Sequence, residues 1–142
     1  MREDAPMGDS APTARLGWVI VYVPDVAAAI DFQERAFGLR RRFVADDHSY
    51  GELDTGSTTL AFASEALGDS HYDGGFRRAR SDEQPCNVEI CLVFDDVPAA
   101  FERALSAGAI ELSAPAEKPW GQTVAYVRDP FGTLIELASP LG

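Results

Sequence analysis

The chain has 142 residues and a formal net charge of −11, and 46% of its residues are hydrophobic. That size and composition suit one globular domain, or two small modules sharing a core. The acid excess argues against nucleic acid as a partner; it favours cationic small molecules, although surplus Asp and Glu also simply aid solubility.

Residues 1–15, MREDAPMGDSAPTAR, contain no apolar stretch, so they read as a disordered tail and not as a secretory signal. No apolar run reaches the roughly 20 residues needed to span a bilayer, so no membrane partner is expected and the protein is placed in the cytoplasm. LGWVIVYV at 16–23 is short, continuously apolar and rich in β-branched and aromatic residues, which predicts a strand covered on both faces. Asp25 is suited to cap a helix over VAAAIDFQERAFG, with Val26, Ala29, Ile30, Ala36 and Phe37 on one stripe, Phe32 near its edge, and Gly38 as the stop. Three short strands are predicted at 40–46, 49–54 and 58–64, separated by the turn-forming ADD and DTGS.

Residues 65–84 are polar, charged and without a clear period, the pattern of a linker or lid. The earlier pattern then returns: a strand at 87–94, a helix capped by Asp96 and ending near Gly108, a short strand AIELS, a loop APAEKPWG, and two strands, QTVAYVR and TLIELAS. The last two are joined by Asp129-Pro130-Phe131-Gly132, which has Asp first, Pro second and Gly fourth, as a type I turn prefers. The capping residues Asp25 and Asp96 are offset by 71 residues and the helix stops Gly38 and Gly108 by 70, so the chain is an internal repeat. The expected division is 1–15 tail, 16–66 first βαβββ module, 67–85 linker or lid, and 86–140 second module.

The double pattern resembles the vicinal-oxygen-chelate superfamily of glyoxalase I, bleomycin-resistance proteins and extradiol dioxygenases. The residues that carry the resemblance are VYVPDVAAAIDFQERAFGL at 21–39, VFDDVPAAFERALSAGA at 93–109 and RDPFGTLIEL at 128–137. It implies an α+β fold of two tandem βαβββ modules, whose mixed sheets curl into a cup with helices outside. It also implies a homodimer, as modules in the family commonly pair across chains. Gln33 stands where an aromatic is common in the family.

Strand alternation puts Trp18, Ile20 and Tyr22 on one face and Val19, Val21 and Val23 on the other. The valine face suits packing on a helix and the aromatic face a cavity. By the same reasoning Glu89, Cys91 and Val93 share a cavity face, against the purely apolar Val88, Ile90, Leu92 and Phe94, and on the last strand Leu134, Glu136 and Ala138 share a face. Metal-binding relatives take one ligand early in the first strand of each module and one in its last strand. Seven residues before the capping Asp96 is Glu89, and the late position is Glu136. Seven before Asp25 is Trp18, and the late counterpart is Leu60 or Ala61, so the first module offers no ligand. Two carboxylates thus remain of four. A hard cation is held by one or two carboxylates with waters, whereas a typical transition-metal site uses three or more protein ligands.

Two readings follow. The first is a binding module for a small organic molecule, aromatic and cationic, in a cup lined by Trp18, Tyr22, Glu89, Trp120, Tyr126 and Glu136. The second is a glyoxalase-like lyase or isomerase in which Glu89 and Glu136 hold a divalent metal (Zn, Ni, Mn, Mg or Fe) and act as acid and base; no cofactor is certain. PWG at 119–121, ahead of the RDPxG motif, resembles the bleomycin-resistance type, and Trp120 offers a flat surface for a planar ligand. Against a functional role, each Glu would pair with a nearby base such as Arg128.

Cys86 and Cys91 on one strand would stand about 16 Å apart, beyond the reach of a disulfide, and read as core thiols. His48 and His71 read as solvent-exposed, and the arginine runs at 40–42 and 77–80 as solvated faces. Ser57 and Ser64 have no placed histidine, so a serine-hydrolase reading has no support.

Overall fold

The computed structural model describes residues 11–141; the first ten residues of the expected tail lie outside them. The first module runs β1 (Trp18–Val23), α1 (Val26–Phe37), β2 (Arg40–Val44), β3 (Tyr50–Asp54) and β4 (Thr59–Ser64). A short helix, α2 (Glu65–His71), follows. The second module runs β5 (Glu89–Val93), α3 (Val97–Ser106), β6 (Ile110–Glu117), β7 (Thr123–Arg128) and β8 (Leu134–Ala138). Each module makes one four-stranded sheet, in the orders β1-β4-β3-β2 and β5-β8-β7-β6, with the first pair parallel and the others antiparallel. The α+β class and the tandem βαβββ repeat are therefore as expected.

The capping chemistry works as the sequence implies. Asp25 accepts a hydrogen bond from the Ala28 amide and Asp96 from the Ala99 amide, each at 3.0 Å. Gly38 ends α1 in the left-handed region. The Asp129–Gly132 turn closes with the Gly132 amide on the Asp129 carbonyl at 3.0 Å. Asp129 is itself buried, and its carboxylate accepts from the Phe131 and Thr133 amides.

Helix α1 joins the two halves. Val26, Ala29 and Ile30 pack on Val23, Leu53, Leu60 and Phe62 of its own sheet. One turn on, Phe32, Ala36 and Phe37 pack with Val97, Phe101 and Ala104 of α3 and with Val127, Ile135 and Leu137 of the second sheet. Neither sheet could bury its apolar face alone. Arg103 extends the joint by donating to the Arg35 carbonyl at 2.8 Å. Gln33 is buried in the same helix, and its Oε1 has no partner among the described residues.

Two elements differ from expectation. Strand β6 is longer than AIELS and runs to Glu117. It takes in Pro115 because β6 is a sheet edge, and the register shift between Ser113 and Ala116 spans that residue, which has no N–H. Helix α2 starts inside the stretch without periodicity; Ser64 caps it, its Oγ accepting from the Leu67 amide at 3.1 Å.

No helix among the described residues is long and apolar enough to cross a membrane.

Candidate functional site

Each sheet has one face on the helices and one open face, so β1 is not covered on both faces as its continuous apolarity suggested: Trp18 and Ile20 are exposed. In the second sheet the helix side carries Ala125, Val127, Ile135 and Leu137. The open side carries Glu89, Cys91, Glu136 and Tyr126. Register explains why these four meet: Cys91 and Tyr126 are both Cα partners of Glu136, and Glu89 lies one alternation from Cys91.

Register and alternation set the Glu89 and Glu136 carboxyls beside one another on this face. Hydrogen bonding to the Glu89 carboxyl, then partial burial, then the charge of Glu89 push the Glu136 carboxyl up to about 7, against the weaker pull of the Cys91 thiol and Lys118. Burial and the two carboxylates push the Cys91 thiol up as well. Tyr126 is shifted in the same direction by burial and the same charges. The four groups therefore sense one another. At neutral pH the thiol is held protonated, so the acidic pair is the reactive feature of this face.

The first sheet is different. Its register places Trp18 opposite Thr59, as Glu89 is opposite Leu134, which makes Ala61 and not Leu60 the counterpart of Glu136. On this open face stands Glu52, the counterpart of Tyr126 and a residue not singled out from sequence. Its carboxylate is saturated by the Trp18 indole at 2.9 Å, the Tyr50 hydroxyl at 2.7 Å and the Arg42 guanidinium at 2.9 Å. Burial pushes Glu52 up, but the three donors together hold it below the usual carboxylate range. Burial and Glu52 push Tyr50 to about 12. The alternation of Tyr50 and Glu52 against Gly51 and Leu53 was the available signal.

The predicted ligand-contact residues fall into separate groups. Glu89, Glu136 and Tyr126 come together. Trp18 belongs with Glu52. Tyr22 turns toward α2 and the segment after it, 4.9 Å from the Phe76 ring and edge-on to Tyr72, with its hydroxyl 3.5 Å from Nδ1 of His71. Trp120 is 62% exposed in the β6–β7 turn, and its indole N–H donates to Gln122 at 2.7 Å.

Three expectations need correction. Arg128 does not pair with either Glu. It is buried and donates to the carbonyls of Arg80, Ser81, Glu83 and Gly132 at 2.7–3.1 Å, pinning the segment before β5 to the Asp129–Gly132 turn. The arginine runs are not simply solvated. Arg42 serves Glu52, while Arg78 and Arg80 both reach Glu65. The cysteines are free as expected but are not core thiols: Cys91 is exposed on the open face and Cys86 half-buried.

The donor set does not fit a transition-metal centre. Among the described residues no three or more His, Cys, Asp or Glu side chains are grouped so as to hold a metal ion. The repeat-equivalent positions Trp18 and Ala61 add no ligand, whether a cup is completed within one chain or by a second copy.

Residues 15–137 match the sequence profile of the Glyoxalase/Bleomycin resistance protein/Dioxygenase superfamily. The chain belongs to this superfamily. An uncharacterized protein of Mycobacterium bovis is 32% identical over 123 residues, which cover 84% of this chain and 79% of that protein. Among solved structures, a glyoxalase/bleomycin resistance protein/dioxygenase family enzyme from Burkholderia phytofirmans is similar at a TM-score of 0.76 and 21% identity, covering 90% of this chain and all of that one. TioX from Micromonospora is similar at 0.72 and 24% identity, with the same coverage. These structural likenesses speak to the fold of this superfamily member and not to its ligand.

Proposed function

We propose that this superfamily member binds a small aromatic organic cation at the open face of its second sheet, as a cytoplasmic binding protein. The observation that carries the proposal is the juxtaposition of Glu89 and Glu136 on one open face, set by the β5–β8 register, with no base of the described residues paired to either. Two neighbouring carboxyls keep one proton until the pH rises through about 7, and a cation in that proton's place relieves the like-charge repulsion of the ionised pair. The ring of Tyr126 beside the pair offers a flat neighbour for an aromatic ligand or for the cation itself. The net charge of −11 draws cations toward the protein from a distance. A metal-dependent lyase reading would need a larger donor set than the pair supplies.

Calorimetric titration with benzylamine, and with benzyl alcohol as its neutral analogue, tests the reading. The amine is expected to bind more tightly than the alcohol above neutrality, and the Glu136→Gln protein is expected to lose that preference. Equal binding of the two compounds by the unaltered protein would reject it.

A further inference from the structure

Strands β1 and β5 are each the terminal strand of their sheet, and they are not hydrogen-bonded to one another. Between them lies a cleft of about 240 Å³. Four consecutive β1 residues, Val19 to Tyr22, line it, together with Val88, Ile90 and Leu134. Alternation would hide every second one of those β1 residues from a cavity lying on one face. The cleft therefore runs along the strand edges, where backbone N–H and C=O groups stand beside apolar side chains.

The cleft is roofed by Phe76, Arg77 and Ala79. That roof is held from both modules. Arg128 clamps the carbonyls of residues 80, 81 and 83 from the second module, and Gly132 is essential to the approach: a Cβ there would stand 2.7 Å from the carbonyl carbon of Arg80. From the side of the first module, Glu65 accepts from Arg78 and Arg80. Phe76 packs on Tyr22 above Gly68, where a Cβ would come within 2.6 Å of the Phe76 ring, and Arg78 lies 5.1 Å above that ring's centre. An apolar space kept open beneath a braced roof is preorganised for an occupant.

We propose that this inter-module cleft is a binding subsite for one uncharged ring, aromatic or alicyclic. A dry apolar cavity of about 150 Å³ suffices for benzene, so this volume takes a single ring with a short substituent. The lining offers no carboxylate, and its one charged residue, Arg77, is an exposed roof residue, so the subsite selects for a neutral group. It borders the acidic pair through Leu134, which lines the cleft, is the register partner of Glu89 and shares a strand face with Glu136; Val88 and Ile90 alternate to the side of β5 opposite Glu89. The subsite stands without the cation-binding reading; joined to it, the two define a ligand with a ring at one end and a cationic group at the other.

The test uses amide chemical-shift mapping of the full chain with benzyl alcohol and with benzylamine. Both are expected to give saturable shifts along residues 19–22 and 88–90. Val88→Trp, made at a residue 63% exposed, is expected to fill the cleft and weaken both probes at least about tenfold. Glu136→Gln is expected to weaken benzylamine alone. Saturable shifts elsewhere, or unaltered binding of benzyl alcohol by the Val88→Trp protein, would overturn the subsite. Because the shift map on the unaltered protein is decisive by itself, the result does not depend on the variant folding. If benzyl alcohol maps to the cleft while Glu136→Gln leaves benzylamine unchanged, the subsite stands and the cation reading falls.

Discussion

Glu136 lies between its Cα partners Cys91 and Tyr126 on the open face of the second sheet, and the neighbouring Glu89 carboxyl pushes its own up to about 7. The equivalent positions of the first sheet hold Trp18 and Ala61, and the acidic residue there, Glu52, is already saturated by three donors. Among the described residues, Glu52 has a base in direct contact and the Glu89–Glu136 pair has none.

The pair makes stability fall with rising pH. The folded protein keeps a proton on Glu136 up to about 7, whereas the unfolded chain releases it in the ordinary carboxylate range. The folded state binds more protons in that window, so the contribution of the pair is fully present below the ordinary range and is lost as pH rises through about 7. Urea unfolding at about pH 5 and about pH 8 is expected to show this loss, and Glu89→Gln is expected to remove most of it, leaving the variant more stable than the parent at the higher pH.

Glu52 works with the opposite sign. Its carboxyl is held below the usual range, so its contribution is present above that range and is lost as pH falls through the lowered value. Glu52→Ala would strip the acceptor from Trp18, Tyr50 and Arg42 at once. Because Arg42 is half-exposed, a cost of about 1–3 kcal/mol is expected, rather than the larger penalty of a fully buried broken pair. Denaturant midpoints, with a change in indole fluorescence from Trp18, check it.

Arg128 braces the roof of the inter-module cleft. Arg128→Met leaves four backbone carbonyls without their donor and is expected to cost about 2–4 kcal/mol. The accompanying signature is faster amide hydrogen exchange at residues 80–84 while α1 and β8 stay protected. Gly132→Ala, at φ 102° and against the Arg80 backbone, should give the same local pattern by a different route.

Much of the fold was legible because repeats write the same local chemistry twice. Asp25 and Asp96 cap α1 and α3, and counting back from them reached Trp18 and Glu89. Strand alternation then put Glu89 on the cavity side, and the late ligand position implied by the resemblance reached Glu136. What was not legible depended on partners distant in sequence. Leu60 and Ala61 could be told apart only by the β1–β4 register. Glu52 looked like an ordinary strand residue until Arg42 and Trp18 closed on it. Arg128 carries a charge that suggested a carboxylate partner, but burial against a chain turn gave it carbonyls instead. Cys91 looked like core by residue type, yet it stands on the face that no helix covers.

The measurement that bears most directly on the acidic pair is the titration of the Glu136 carboxyl, followed by carbon-detected NMR in the parent and in Glu89→Gln. A midpoint near 7 in the parent, falling toward the ordinary carboxylate range in the variant, is the expected result. A midpoint already in the ordinary range in the parent, or one that Glu89→Gln leaves in place, would contradict the shared-proton pair and the cation site built on it.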